Sequence, residues 1–451
     1  MTMLKKIQII ALSGAALLAF TTSSAQALSL DEALALAYQK NPQIKAERAN
    51  VRAVDESMPQ ALSGWMPDVA IRYSKGHQTE TLGGQEDSNA PDSRSLTYNQ
   101  SLFSGGSSYY SVKAAKQRVQ AAREQLRRVE QQIFTQAVTA YVDIVRTQRI
   151  LDLSINNERV LAEQVDATDE KFKLGETTRT DVAQAESRLA RAESDRIQAQ
   201  GNLIAARSEF KRVFITDAPD NLTMPVINFT LPKNFDEAME RTIADAPNLK
   251  IAEHNHRALE QDVRVARSSL LPTIDVTGRI QRDDHLGSLR GYNSIESESI
   301  TLNVTVPLYQ TGSEYSRIRQ VKEQMKNAFY DLEQAQNAAT DTTTKAWKDL
   351  QTTQANIKAS QTEVSAADLA LEGVREEQEV GSRTVLDVLD QEQELFVARV
   401  GLVTAQRNYT LACYNLLAAM GELTANDLGL DVELYDPRDN YNDVKYQFIG
   451  Y

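Results

Sequence analysis

The sequence predicts a mixed α/β membrane protein, in which long coiled-coil helices and four short membrane-type β-strands per chain are built from one unit used twice. Three observations predict it. The chain echoes itself at an offset of about 206 residues; two tracts of more than a hundred residues contain no proline; and four runs of about ten residues alternate apolar and polar side chains.

The N-terminal 27 residues read as an export signal. Lys5 and Lys6 are basic, Ile9 to Phe20 is apolar or small, and Ala25-Gln26-Ala27 fits an A-x-A cleavage site. No cysteine follows that site, which excludes a lipid-anchored N-terminus. Of 451 residues, 49 are Lys or Arg and 62 are Asp or Glu, a net charge of −13. An acidic chain without a basic run is a poor nucleic-acid binder. The single cysteine, Cys413, excludes an internal disulfide and a cysteine metal cluster; in Leu411-Ala412-Cys413-Tyr414 it reads as a small buried hydrophobe. Beyond the signal, no stretch approaches the roughly 20 apolar residues of a spanning helix.

The echo is detailed. Asp31-Glu32-Ala33 returns as Asp236-Glu237-Ala238, Pro42 as Pro247 and Pro67 as Pro272. After a one-residue slip, Gly106 returns as Gly312, Ala140-Tyr141 as Ala346-Trp347, Gly175 as Gly381 and Asp181 as Asp387. The predicted organisation is therefore a signal at 1–27, a first unit at 28–218, a linker at 219–235, a second unit at 236–422 and a tail at 423–451. Each unit holds a short helix, two strands, a long helix and a second short helix.

No proline lies between Pro91 and Pro219 or between Pro307 and Pro437. A helix-interior proline costs about 3 kcal/mol, so these tracts read as helical. Gly175 and Gly381 are the predicted turns within them. After each turn runs a seam at alternating three- and four-residue steps. It is Val182, Ala185, Leu189, Ala192, Arg196, Ala199, Leu203, Ala206, Phe210 and Val213 in the first unit. In the second it is Val388, Gln391, Leu395, Ala398, Leu402, Ala405, Tyr409, Ala412, Leu416 and Ala419. These are packing positions. A helix over about 109–174 is roughly 99 Å long, and the short helical segments 30–64 and 178–214, stacked end to end, match it. The predicted shape is a rod.

Before each long helix lie two period-two runs: Val69, Ile71 and Tyr73; then Leu96, Tyr98 and Leu102; then Ile274, Val276 and Ile280; then Ile300, Leu302, Val304 and Val306. Their length and pattern suit barrel strands in a membrane. The polar links 78–94 and 281–299 read as external loops. Four strands cannot close a barrel, and lipid does not tolerate open sheet edges, so several chains must combine. Two copies give eight strands filled by side chains, whereas three give twelve and leave a channel.

Over nearly the whole mature length the chain resembles the TolC-type outer-membrane efflux family. The likeness rests on Asp31-Glu32-Ala33 with Asn41-Pro42, on Leu102-Phe103-Ser104-Gly105-Gly106 with its echo Pro307-Leu308-Tyr309-Gln310-Thr311-Gly312, and on Val380-Gly381-Ser382-Arg383-Thr384-Val385-Leu386-Asp387-Val388-Leu389-Asp390. The resemblance implies a homotrimer with a twelve-stranded barrel among outer-membrane lipids and a helical barrel through the periplasm. It also implies docking to an inner-membrane transporter through a periplasmic adaptor, and no cofactor.

Asp387 and Asp390, three apart, share a helix face. In the family the matching aspartates line the periplasmic entrance; six carboxylates in a trimer would attract cations. Thr384-x-x-Asp387 and Thr178-x-x-Asp181 also fit capping boxes, so Asp387 suits both cap and pore. Asp390 aligns with Gln184 and has no such alternative. Asp181 and Arg383 match family positions that tie the inner helix pair to its neighbour and hold the entrance shut; they are equally readable as solvated surface charges. Gln378 stands where the best-known member has tyrosine, so the closing contacts differ in detail. The turns Leu174-Gly175-Glu176 and Val380-Gly381-Ser382 match the adaptor's docking points.

An enzyme is not indicated. His77, His254, His256 and His285 show no metal spacing, and no nucleophile elbow or phosphate loop is present. The alternative function is a soluble periplasmic coiled-coil structural protein whose strands form a docking hairpin. A simple diffusion porin is disfavoured, because it has no use for long helices.

Overall fold

The computed structural model describes residues 28–287 and 293–450. The expected export signal at 1–27 and part of the second expected loop lie outside them.

The chain begins with three short helices where one was expected. Helix α1 (Leu30–Lys40) starts at a reciprocal cap: Ser29 Oγ accepts from Glu32 N (3.2 Å) while Glu32 Oε2 accepts from Ser29 N (2.9 Å). Asn41-Pro42 ends it, because proline cannot continue the hydrogen-bond ladder but can open a new helix. Asn41 Oδ1 accepts from Gln43 N at the start of α2 (Pro42–Asp55), and a third helix, α3 (Ser57–Leu62), follows. Next come strands β1 (Asp68–Lys75), β2 (Gln78–Leu82), β3 (Gln85–Asn89) and β4 (Asp92–Ser104). They lead into α4 (Ser107–Lys173) and α5 (Arg179–Phe214).

The second half runs α6 (Phe235–Asp245), α7 (Pro247–Ser268), β5 (Thr273–Asp284), β6 (Ser294–Thr305), α8 (Ser313–Glu379) and α9 (Val385–Met420). Helices α4 and α8 have 67 residues each, about 100 Å at 1.5 Å per residue. Helices α5 and α9 have 36 each. Each long helix folds back at a tight turn onto its shorter partner. Every residue of both predicted seams is buried or half-buried. Along α4, α5 covers the part beyond the middle and α1–α3 the part nearer the strands. The two stretches join where Asn41 Nδ2 donates to Val213 O (3.1 Å).

The expected loop at 78–94 is not a loop throughout: β2 and β3 pair as a small separate hairpin. The other strands form one antiparallel sheet in the order β1-β4-β5-β6, so the central pair joins the two halves of the chain. Register puts Val69, Tyr98, Gly278 and Ile300 in one row and Ile71, Leu96, Ile280 and Glu298 in the next. Gln100, Val276 and Leu302 form a further row of the same face. A bulge between Ser101 and Phe103 keeps Phe103 opposite Ile274, on that face. Among the described residues nothing covers it: Ile71 is 83% exposed and Ile300 87%. Strands β1 and β6 are the two edges.

The largest core lies midway along the rod, where α1, α4, α5 and α9 meet. Phe134, Tyr141, Phe210, Phe214, Leu416 and Met420 are all buried there. The Tyr141 hydroxyl donates toward the carbonyls of Leu28 (2.8 Å) and Thr223 (3.1 Å). Cys413 is buried beside them, and burial pushes its thiol up to about 11.

The tail, which had no predicted structure, straps this core. Leu423, Ala425 and Leu430 are buried in it. Ala425 N donates to Glu130 Oε1 (2.6 Å), and Tyr435 N donates to Tyr38 Oη (3.1 Å). Beyond them the helix α10 (Arg438–Val444) lies on α2, where Asn440 Nδ2 donates to Asp55 Oδ2 (2.9 Å).

Candidate functional site

The two helix–helix turns form the far end of the rod from the sheet. At the first, Leu174 closes α4 and Gly175 turns left-handed (φ 81°). Gly175 N donates to Phe172 O (2.9 Å) and Glu176 N to Lys171 O (2.9 Å). At the second, Val380 closes α8 and Gly381 has φ 80°. Gly381 N donates to Gln378 O (3.0 Å) and Ser382 N to Glu377 O (2.9 Å). These are the same glycine-terminated motif, in which positive φ lets the last carbonyls find donors. Both turns hold an apolar side chain out into solvent: Leu174 is 74% exposed and Val380 81%.

Each returning helix then opens with a reciprocal cap. Thr178 Oγ1 accepts from Asp181 N (3.3 Å), and Asp181 Oδ2 accepts from Thr178 N (2.9 Å). Thr384 and Asp387 repeat it at 3.2 Å and 2.8 Å. The Thr177 hydroxyl, with the Thr178 amide and hydroxyl, holds the Asp181 carboxyl below the usual carboxylate range. The Thr384 amide and hydroxyl do the same for Asp387. Both stay ionised at neutral pH, and each negative charge sits favourably at a helix N-terminus.

Of the residues expected to hold the entrance shut, Asp181 and Arg383 find partners in their own turns. Asp181 serves its cap, and Arg383 Nε donates to Glu377 Oε2 (2.8 Å). Neither reaches across to the other hairpin within the chain, because each sits within a few residues of its local partner. Gln378 takes part through its carbonyl, in the glycine turn. Asp387 and Asp390 do share one face of α9, and Glu394 extends that face by a further turn. The opposite face, with Val388 and Leu389, is buried.

Asp390 is not free. Arg188 Nη2 of α5 donates to its Oδ1 at 2.5 Å, an ion pair between residues 202 apart in the chain. Sequence reasoning missed Arg188. The available signal was its place beside the Ala185–Leu189 seam, where charges flanking a coiled coil choose partners.

The histidines are dispersed. On α7, His254 Nδ1 contacts Gln117 Oε1 (2.8 Å), whereas the His256 ring packs against Phe329. Among the described residues no group of three His, Cys, Asp or Glu is arranged to hold a metal ion, and no helix is long and apolar enough to cross a membrane.

The sequence profile described as "outer membrane efflux protein" matches residues 33–213 and again 238–422. The chain is 34% identical over 444 residues to outer membrane efflux protein BepC of Brucella suis biovar 1, spanning 97% of this chain and 96% of BepC. It is 24% identical over 433 residues to outer membrane protein TolC of Escherichia coli K12, spanning 91% of this chain and 87% of TolC. The solved structure of the Campylobacter jejuni CmeC outer membrane channel superposes with a TM-score of 0.78 at 16% identity, covering 98% of each chain. Sheet, rod and profile agree: this chain belongs to the outer membrane efflux protein family, and is an outer-membrane exit channel of TolC type that extends into the periplasm and is not an enzyme.

Proposed function

We propose that three copies of the chain close their four-stranded sheets into one twelve-stranded barrel in the outer membrane, continued through the periplasm by a barrel of their paired helices. The assembly is the exit duct for toxic small molecules, secreted polypeptides or both. An inner-membrane transporter drives export and reaches the duct through a periplasmic adaptor.

The carrying observation is the sheet. One face presents Val69, Ile71, Leu96, Ile280, Ile300 and Leu302 to the surroundings, and β1 and β6 are left as free edges. In lipid every backbone donor and acceptor must be met, so the β6 edge of one copy pairs with β1 of the next. Twelve strands leave a lumen, whereas eight would be filled by side chains.

Units 28–218 and 236–422, joined by the linker 219–235, are two versions of one building block. Matching helix lengths and paired cap motifs support that reading. The turns at Leu174–Glu176 and Val380–Ser382, each tipped with an exposed apolar residue, are the adaptor's docking points. Asp387 and Asp390 ring the periplasmic entrance and select for cations; Asp181, Arg383 and Gln378 shape the closed contacts around it.

The test is the native mass of protein extracted from membranes in detergent. A complex of roughly 140 kDa, three chains less their signals, supports the trimer. A monomer released without detergent would overturn it in favour of a periplasmic coiled-coil protein.

A further inference from the structure

The two hairpins of one chain meet at their tips along a narrow seam. Val385 and Leu389 of α9 pack against Ala185 and Ala192 of α5 and Leu161 of α4. Beside this apolar zip stands the Arg188–Asp390 ion pair. Several neighbouring charges are committed elsewhere. Arg375 pairs with Glu392 inside the second hairpin, Arg383 with Glu377 in its own turn, and Asp181 with its cap.

We infer that Arg188 is the latch of the seam and the mask of Asp390: it pins the second hairpin to the first and, while it does so, cancels the charge that Asp390 would offer to the entrance. The inference rests on the reading that Asp387 and Asp390 ring that entrance. With the latch closed, the ring's charge comes from Asp387, whose carboxylate is held ionised by its cap. When the hairpins separate, the guanidinium leaves Asp390 and a second carboxylate per chain faces the opening. Widening the entrance and strengthening its pull on cations are thus one event. Arg188 and Asp390 are both partly in water, which keeps each link weak. Weak links repeated around an assembly suit a seam that must open under an adaptor's push.

The test is conductance and ion preference of the purified full-length channel in planar bilayers. Arg188→Ala, a change that favours helix at a half-buried position, is expected to raise resting conductance several-fold and to increase preference for cations. Arg188→Lys keeps the charge and should restore most of the closed behaviour. The swap Arg188→Asp with Asp390→Arg re-forms the pair with its sign reversed, so low conductance should return while cation preference falls. The latch is overturned if Arg188→Ala conducts like the parent protein, or if the swap conducts no less than Asp390→Arg alone. Asp387→Asn reports on the ring separately. It should lower cation preference without raising conductance; if preference does not change, the ring reading fails and the latch is judged on conductance alone.

Discussion

Arg407 on α9 grips Asp143 on α4 with two parallel hydrogen bonds, Nε to Oδ1 at 2.9 Å and Nη2 to Oδ2 at 3.2 Å, across 264 residues of sequence. The geometry is the planar fork that arginine offers a carboxylate. Both side chains are a quarter exposed, so the pair lies between a solvated surface contact and a dry one. Among the described residues, Arg407→Ala would leave Asp143 the looser approach of Arg146 at 3.4 Å. The expected cost is about 1–3 kcal/mol, read as a lower denaturant midpoint of the detergent-solubilised protein. Arg407→Lys should recover less than half of it, because an ammonium cannot make both bonds.

Two left-handed glycines should respond very differently to alanine. Gly381 sits at the tip of a turn in open space, so Gly381→Ala meets only the left-handed backbone penalty of about 1 kcal/mol. Gly421 ends α9 at φ 88°, and a Cβ there would stand 2.3 Å from the Asp245 carbonyl oxygen. Backbone must shift to admit it, and the same residue's carbonyl accepts from Arg127 Nη2. Gly421→Ala should therefore cost several times as much as Gly381→Ala in thermal unfolding. Equal losses would mean that the α6–α9 junction yields freely.

The long helices, the turns and the capping boxes were legible because each leaves a local mark: absence of proline, an isolated glycine, a Thr three residues before an Asp. The four sheet strands were legible because one face is apolar at most of its alternate positions. The β2–β3 hairpin was not, since Gln78-Thr79-Glu80-Thr81 and Gln85-Glu86-Asp87-Ser88 are polar at every position and a period-two test finds nothing. Its one signal, Gly83-Gly84, is the two-residue turn itself. The break at Asn41-Pro42 carries a local mark as well, a proline that ends one helix and opens the next, yet segment 30–64 reads as one short helix when the proline is taken only as part of the repeat. The Arg188–Asp390 pair and the strap from Leu423 to Tyr441 arise from chain paths that meet only in three dimensions, and surface charges carry no period that would announce them.

Glu130 makes stability depend on pH. Burial pushes its carboxyl up to about 7, with the Ala425 amide and the Arg48 and Arg127 charges pulling partly the other way. The folded value lies above the unfolded one near 4.5, so the folded chain holds this proton more tightly. The contribution is therefore complete below pH 4.5, fades as pH rises towards 7 and is gone above it, an effect of up to about 3 kcal/mol. Asp181 and Asp387, whose values are lowered, act in the opposite sense: their contribution is present above the unfolded value of 3.8 and is lost only as pH falls below it. Glu130→Gln keeps an oxygen for the Ala425 amide and removes the charge. It should match the parent at pH 5 and exceed it at pH 8 in denaturant midpoint, and a parallel pH profile for both proteins would refute this assignment.

The two faces of β6 offer the sharpest contrast. Ile300 stands on the apolar face in the row of Val69, Tyr98 and Gly278, while its neighbour Thr301 stands on the other face, opposite Thr277. In the isolated chain both are open to the surroundings, so a lysine at either position costs little there. In a closed barrel Ile300 faces hydrocarbon, where lysine costs about 2–4 kcal/mol near the midplane, and Thr301 faces the aqueous lumen. Ile300→Lys should lower the amount of oligomer recovered from outer membranes, whereas Thr301→Lys should assemble normally and shift ion preference towards anions. Equal recovery of the two variants would place the apolar face in water and remove the main support for the barrel.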